Sequence, residues 1–391
     1  MLKKIALLFS IWRLLLFIPL ILAQIFIPYR TGYSYTSPLY FLTDKHSLIS
    51  NFLISPWLNF DGVYYLLIAA QGYTVNAGFF PLFPLSIHFI TSIFGEKLAF
   101  DPIQYFVSIF LVSAYFLASL FILFKLIRLD YKDNVAIWSI VFTLIFPTSF
   151  FFAAIYSESL FLFLTVLSFY FARKKNWFLA SVCGGLLTAT RLVGIAIIPA
   201  LIFEFILQNP SSLKLRRAGK TFFNLKSLSL LLTPLGILSY ILFNLIKWGN
   251  AFYFIEAQGN FQNNRTVNGI VFFPQTIFRY IKIIFTVNPN IYEWKIALLE
   301  LSAFFFAGLL LYVAWKKKVR LSYILFALIC FLIPVTTGTF SSLPRYVLVM
   351  FPIFIALALI KNKTIKIVYS IISLALLFIL FALFSKGYFI A

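Results

Sequence analysis

Most of the side chains able to do chemistry fall in a few short stretches. The stretch "NFDGVYYLLIAAQGY" at 59–73 sets one carboxylate, Asp61, ahead of a glycine and two tyrosines, Tyr64 and Tyr65. The stretch "FPTSFFFAAIYSESLF" at 146–161 carries Tyr156, Ser157 and Glu158. Two arginines follow, Arg191 in "TATRLVG" and Arg345, beside Tyr346, in "SSLPRY". A carboxylate within hydrogen-bond reach of a hydroxyl can take its proton. It can equally cap a helix, and "GVYYLLIAAQG" reads as a short amphipathic one, so the pattern leaves Asp61 between the two roles. Glu158 either caps the amides near Ser157 or meets a cation. Arg191 lies within a few residues of apolar helix on both sides, where an arginine is costly unless paired or snorkelled. It is therefore a functional group or the buried partner of Glu158. Arg345 is an interfacial anchor or a functional cation, and Arg13, inside an apolar run, is open in the same way. His88 reads as an interfacial histidine, and "FFPLFP" at 79–84 as a packed aromatic corner.

The elements that must position these groups are membrane helices. The chain has 391 residues, 62% hydrophobic and 11% charged, with 51 phenylalanines. A soluble domain is typically about 45–50% apolar and about 25% charged. The fold class is therefore an all-α polytopic membrane protein. Its two cysteines, Cys183 and Cys330, lie in apolar runs and read as small hydrophobes rather than a disulfide or metal site. His46 and His88 are its only histidines, and no HExxH, CxxC or P-loop pattern occurs. A span needs roughly 20 apolar residues, and such runs at 5–29, 102–127, 135–153, 158–172, 177–190, 192–207, 228–248, 294–315, 321–338, 346–360 and 367–387 make about eleven transmembrane helices. The first is too long for a signal peptide and shows no small-residue cleavage site, so it reads as an uncleaved span.

The net charge of +21 sets the orientation. With the N-terminus cytoplasmic, the inside loops receive Arg128 with Lys132, "RKK" at 173–175, the run Lys214, Arg216, Arg217, Lys220 and Lys226, "KKKVR" at 316–320, and Lys361, Lys363 and Lys366. Basic residues collect in cytoplasmic loops, so these runs are orientation signals; they have no nucleic-acid module around them. If 77–95 crossed the membrane, every later loop would flip. It is expected to be interfacial or re-entrant, and Pro81 and Pro84 argue against a plain helix there. Asp61, Glu158, Arg191 and Arg345 then share the outer face, on a first extracytoplasmic loop at 30–101 with short interfacial helices, on turns, and beside a second large loop at 249–293. Gly62 is expected to leave room beside Asp61. Polar specificity on one face points to an enzyme working there.

Taken in order, "FDGxYYxxIAxxGY" at 60–73, "FFPLFP" at 79–84, "FPTSFFFAAIYSESLF" at 146–161, "TRLVG" at 190–194 and "PRY" at 344–346 resemble the PIG-V family of membrane mannosyltransferases, within the GT-C glycosyltransferases. Phe60 stands where the family's opening motif usually has Trp. The resemblance implies a single GT-C-like transmembrane domain over 1–391. It implies a dolichyl- or polyprenyl-phosphate sugar donor, and transfer of a hexose, mannose first, to a glycan or lipid-linked acceptor on the extracytoplasmic face, with inversion. It maps the family's base onto Asp61. Arg345 and Arg191 would meet the donor phosphate, Glu158 would orient an arginine or bind a sugar hydroxyl, and Tyr64, Tyr65 and Tyr346 would contact sugar or phosphate. No metal or other cofactor is required, since the leaving group is a lipid monophosphate and the outer loops hold no DxD pair. The partners are donor, acceptor and membrane lipids, with no nucleic acid. Size, Lys-rich composition and the lack of eukaryotic sorting signals point to a prokaryotic plasma membrane. Two alternatives stay open: a surface-glycan polymerase or ligase, and a lipid-linked-glycan flippase. The flippase expects ionisable residues deep in several spans, and Arg13 is the one this span assignment finds.

Overall fold

In a computed structural model, residues 1–33, 50–74, 77–95, 99–209, 225–260, 265–267 and 269–390 are described. His46 and the basic run Lys214, Arg216, Arg217 and Lys220 lie outside them. The described residues are helical, with no strand. Five helical segments are long and apolar enough to cross a membrane: Leu2–Phe26, Pro102–Ile127, Ser229–Trp248, Tyr292–Lys316 and Lys363–Ser385. Their outer surfaces are apolar, as at Phe110 and Ile371, which are 69% and 64% exposed. Soluble monomers rarely carry apolar surface on that scale. The protein is an integral membrane protein.

The first segment consists of α1 (Leu2–Leu15) and α2 (Phe17–Phe26), broken at Leu16. Pro19 explains the break, because its ring crowds the carbonyl of residue 15 and it lacks the N–H that would bond there. Helix α3 (Asp61–Gln71) follows a second break, then α4 (Leu82–Ile93) and α5 (Pro102–Ile127). Helix α5 starts where Asp101 accepts the Ile103 N–H at 2.8 Å and Pro102 occupies the first turn. The middle of the chain forms α6 (Asp133–Leu144), α7 (Glu158–Arg173), α8 (Trp177–Thr188), α9 (Ile197–Gln208) and α10 (Leu235–Trp248). The remainder forms α11 (Phe273–Thr286), α12 (Tyr292–Lys316), α13 (Leu321–Val335), α14 (Leu343–Leu348), α15 (Pro352–Ala358) and α16 (Lys363–Ser385). Helix α7 is central, packing on both α5 and α8. Helix α12 packs on α11, α14 and α15, and α16 on α2.

Glycines set one close crossing. A Cβ on Gly236 of α10 would stand 2.0 Å from the Gly185 carbonyl oxygen of α8. Small residues allow membrane helices to approach this closely.

Several expectations change. The stretch 77–95 does contain a regular helix, α4. Pro81 and Pro84 sit at its cap and in its first turn, where a missing N–H costs nothing, so they start the helix rather than prevent it. Helix α6 stops at Leu144, and 146–157 is a turn with a short 3₁₀ segment at Ser149–Phe152. The run 346–360 is split into α14 and α15, with Pro352 opening the second. Helix α11 lies within what reads from sequence as loop. Arg13 is not the only charge within these helices: Glu204 and Glu300 are buried in α9 and α12. Glu204 accepts bonds from Arg320, Ser322 and Gln208, which ties α9 to the start of α13. Cys183 and Cys330 are buried free thiols.

Candidate active site

A backbone corner presents Asp61. The helical segment Phe52–Leu58 meets α3 at 91°, and Asn59 and Phe60 make the bend. Phe60 has φ +56°, a conformation that costs a bulky residue about 1–3 kcal/mol. The surroundings hold it there. Asn59 is fully buried, accepts from the Tyr33 hydroxyl and donates to the Phe384 carbonyl at 2.8 Å. Tyr156 donates to the Asn59 carbonyl at 2.7 Å and accepts the Asp61 N–H at 3.2 Å. The Phe60 ring packs on Phe384 and Phe389. Gly62 faces Leu58 and the Ile155 carbonyl oxygen, 3.3 and 3.4 Å from where a Cβ would be. It is therefore needed for packing behind the corner, and does not provide room for a ligand.

Asp61 is the first residue of α3 and makes no cap bond. Its Oδ2 accepts from Arg345 Nη1 at 2.6 Å. Its Oδ1 has no hydrogen-bond partner among the described residues, and the side chain is 18% exposed. The helix-cap reading therefore fails: the carboxylate points to a cation and a cavity.

Arg345 leads to Glu158. Its Nε lies 2.7 Å from Glu158 Oε1, close enough for strong attraction although not aligned as a hydrogen bond. The same Oε1 accepts from Arg191. Glu158 is fully buried at the start of α7 and makes no cap bond there either. The result is a chain Asp61–Arg345–Glu158–Arg191 of two acids and two bases. Burial works against the charge on both arginines, but the carboxylates outweigh it, and both are held above the ordinary arginine range. Aromatic faces complete the enclosure: Arg345 lies 5.2 Å from the Tyr156 ring centre and Arg191 5.0 Å from that of Tyr346. These are cation–π distances.

The chain of charges borders a cavity of about 1410 Å³. Asp61, Tyr64, Tyr65, Arg191, Arg345 and Tyr346 all line it, while Glu158 stands behind the wall. The "FFPLFP" stretch is a packed aromatic corner beneath them. Phe79 stacks on Tyr64 with centroids 5.2 Å apart, and Phe83 meets Tyr65 edge-on at 5.0 Å. Tyr65 also donates to Ser157 Oγ at 3.0 Å, so its ring is a wall and its hydroxyl is engaged. His88 faces away from this chemistry, with Nδ1 2.7 Å from the Ala69 carbonyl oxygen, joining α4 to α3. Arg13 is also structural here. It donates to the Ala153 carbonyl at 3.0 Å and lies over the Trp57 ring, holding the turn before α7.

The cavity has a second wall that the sequence motifs do not mark. It is made by Arg265, Arg279 and Tyr280, by Glu300 of α12, and by Arg30 with Glu293. Tyr280 donates to Glu300 Oε2 at 2.5 Å and accepts the Phe340 N–H at 3.0 Å, fixing the turn that leads into α14 and so to Arg345. Glu300 had a readable signal: a carboxylate well inside an apolar run must face a cavity or a partner. Arg265 sits in an ordinary-looking polar loop and Arg279 on α11, and neither has such a signal.

A family model described as Mannosyltransferase (PIG-V) matches residues 2–244. A comparison with curated proteins found no match.

Proposed function

The chain belongs to the PIG-V family of mannosyltransferases, and from that premise we propose that it moves mannose from a polyprenyl-phosphate donor to a hydroxyl of a glycan or glycolipid, at the extracytoplasmic face and with inversion. The observation that carries this reading is the geometry at Asp61. One oxygen is fixed by Arg345 at 2.6 Å, and the other has no hydrogen-bond partner among the described residues and borders the cavity. That suits a base which must keep its orientation while accepting a proton.

The acceptor hydroxyl would lie at Oδ1 of Asp61 and lose its proton as its oxygen attacks C1 of the sugar. The C1–O bond to phosphate breaks on the opposite side, and the electron pair leaves with the lipid phosphate. A single displacement of this kind needs only one carboxylate and inverts the anomeric centre. Tyr64 and Tyr346 offer ring faces to the sugar. Arg345 and Arg191 offer fixed N–H donors near the breaking bond, where preorganised dipoles count most, although their charge is balanced by Asp61 and Glu158. No metal has a part in this scheme. Ligand pockets commonly run from about 300 to about 1,000 Å³. At about 1410 Å³ the cavity has room for a donor head group and an acceptor sugar together. The reading keeps a GT-C-like arrangement of about eleven spans, the shorter apolar helices completing the count.

The test is transfer by purified, reconstituted protein from polyprenyl-phosphate mannose to soluble sugar acceptors, with GDP-mannose as the competing donor and EDTA in parallel. Transfer from the lipid donor alone, undiminished by EDTA, is expected. Transfer from GDP-mannose would refute the donor assignment.

A further inference from the structure

The first wall of the cavity is already neutralised. Arg191 and Arg345 are paired with Glu158 and Asp61, and across the cavity Arg30 is paired with Glu293 at 3.2 Å. Arg265 and Arg279 differ. Among the described residues neither has a carboxylate within ion-pair distance. Arg265 donates to Gln258 Oε1 at 2.8 Å and to the Ser341 carbonyl at 3.2 Å. Arg279 donates to the Gly338 carbonyl at 3.2 Å. Glu300 lies within electrostatic range of Arg265 but already accepts the Tyr280 hydroxyl. Neutral acceptors fix the two guanidinium groups, and no carboxylate among the described residues forms an ion pair with either.

The backbone beside Arg265 is fixed as well, and Arg279 is carried by α11. The Thr266 and Val271 N–H groups bond to the Thr337 and Thr336 carbonyls at 2.8 and 2.9 Å, which fastens both residues along the turn carrying Gly338 and Ser341. That turn continues directly into α14 and Arg345. Arg265 also lies 6.0 Å from the Tyr346 ring centre, on which Arg191 is placed too. Arg265 therefore stands beside the neutral quartet, and Arg279 is held on Gly338 of the same turn.

We propose that Arg265 and Arg279 form a phosphate-binding subsite of this cavity, taking the dianionic phosphate that the quartet has no spare charge to hold. The proposal rests on the transferase reading and deepens it. Guanidinium forks bind phosphate oxygens in pairs, and two of them held against one turn match a terminal phosphate better than a single charge would. Fixing the donor's phosphodiester beside Tyr346 would leave its sugar over Asp61, and the second negative charge develops there as the sugar leaves. The same chemistry fits the leaving group of the donor or a phosphate carried by the acceptor.

The test is equilibrium binding to the full-length protein in nanodiscs, with polyprenyl monophosphate as one probe and mannose 6-phosphate as the other. The variants are Arg265→Gln/Arg279→Gln and Arg265→Lys/Arg279→Lys. Arg128→Gln is the control, since that arginine is exposed and paired to Asp133. Unfolding midpoints report that each variant is folded. For a donor subsite, the Gln pair weakens polyprenyl monophosphate binding by about a hundredfold, at about tenfold for each lost charge-assisted contact. The Lys pair, which keeps charge but not the fork, weakens it by about tenfold or less and preserves the test if the Gln pair fails to fold. Loss confined to mannose 6-phosphate supports the subsite and moves it to the acceptor side. Unchanged affinity for both probes in a folded double variant overturns the subsite and leaves the transferase reading intact. Failure of the wild type to bind either probe overturns both.

Discussion

At the scale of the residue, the site is built on charge that is shared. Glu158 carries two arginines on one oxygen in a fully buried position. Breaking a buried pair by removing one partner typically costs about 3–5 kcal/mol, because the other charge is left uncompensated. Glu158→Gln is therefore expected to lower the unfolding midpoint in detergent sharply. Adding Arg191→Met to that variant is expected to cost less than Arg191→Met alone, a coupling of about 0.5–3 kcal/mol in a double-mutant cycle. Additive losses would mean that the contact is incidental. The acids and bases of this quartet were legible in the sequence because each is a polar residue stranded in apolar surroundings. What each does was not legible. Asp61 at the start of a helix has the same local pattern whether it caps or catalyses, and Arg345, 284 positions away, decides between the two. Arg265 and Arg279 give no such contrast, since their charge is unusual only in having no carboxylate at ion-pair distance among the described residues.

At the scale of the element, the corner before α3 and the crossing of α8 with α10 shape the site. The corner is held by a buried asparagine. Asn59→Leu would release Tyr33 and the Phe384 carbonyl, and is expected to lower kcat more than it raises KM, because Asp61 would swing while the cavity stays open. A change in KM alone would show that the corner does not position the base. Gly236→Ala would set a methyl group into the Gly185 backbone and force α10 outward. Overpacking costs about 1–3 kcal/mol, so a clear drop in unfolding midpoint is expected, with Leu235→Ala, on the exposed side of the same helix, nearly silent. The long helices were readable from hydropathy. The short ones were not, because apolar runs such as 135–153 and 346–360 look continuous until Pro147 and Pro352 turn the backbone. Prolines are ambiguous at this level: Pro81 and Pro84 open a helix, whereas Pro19 interrupts one.

At the scale of the whole molecule, the cavity is joint work of the family-matched part, residues 2–244, and the remainder of the chain. The first supplies Asp61, Tyr64 and Arg191, and the second supplies Arg345, Tyr346, Arg265 and Arg279. Positive charge in alternate loops predicts which way this cavity faces. A cysteine placed at Asn290, an exposed position in the turn before α12, is expected to react with a membrane-impermeant maleimide in intact cells. One at Lys318 is expected to react only after permeabilisation. The reverse pattern would place the cavity on the cytoplasmic side. The most direct test of the central claim compares wild type with Asp61→Asn in the same membranes, measuring mannose transfer from polyprenyl-phosphate mannose and binding of polyprenyl monophosphate side by side. The account predicts transfer reduced by at least about a hundredfold, the lower end of what a general base contributes, with phosphate binding retained. Transfer within a few-fold of wild type would show that Asp61 only positions Arg345, and would contradict the assignment of the base.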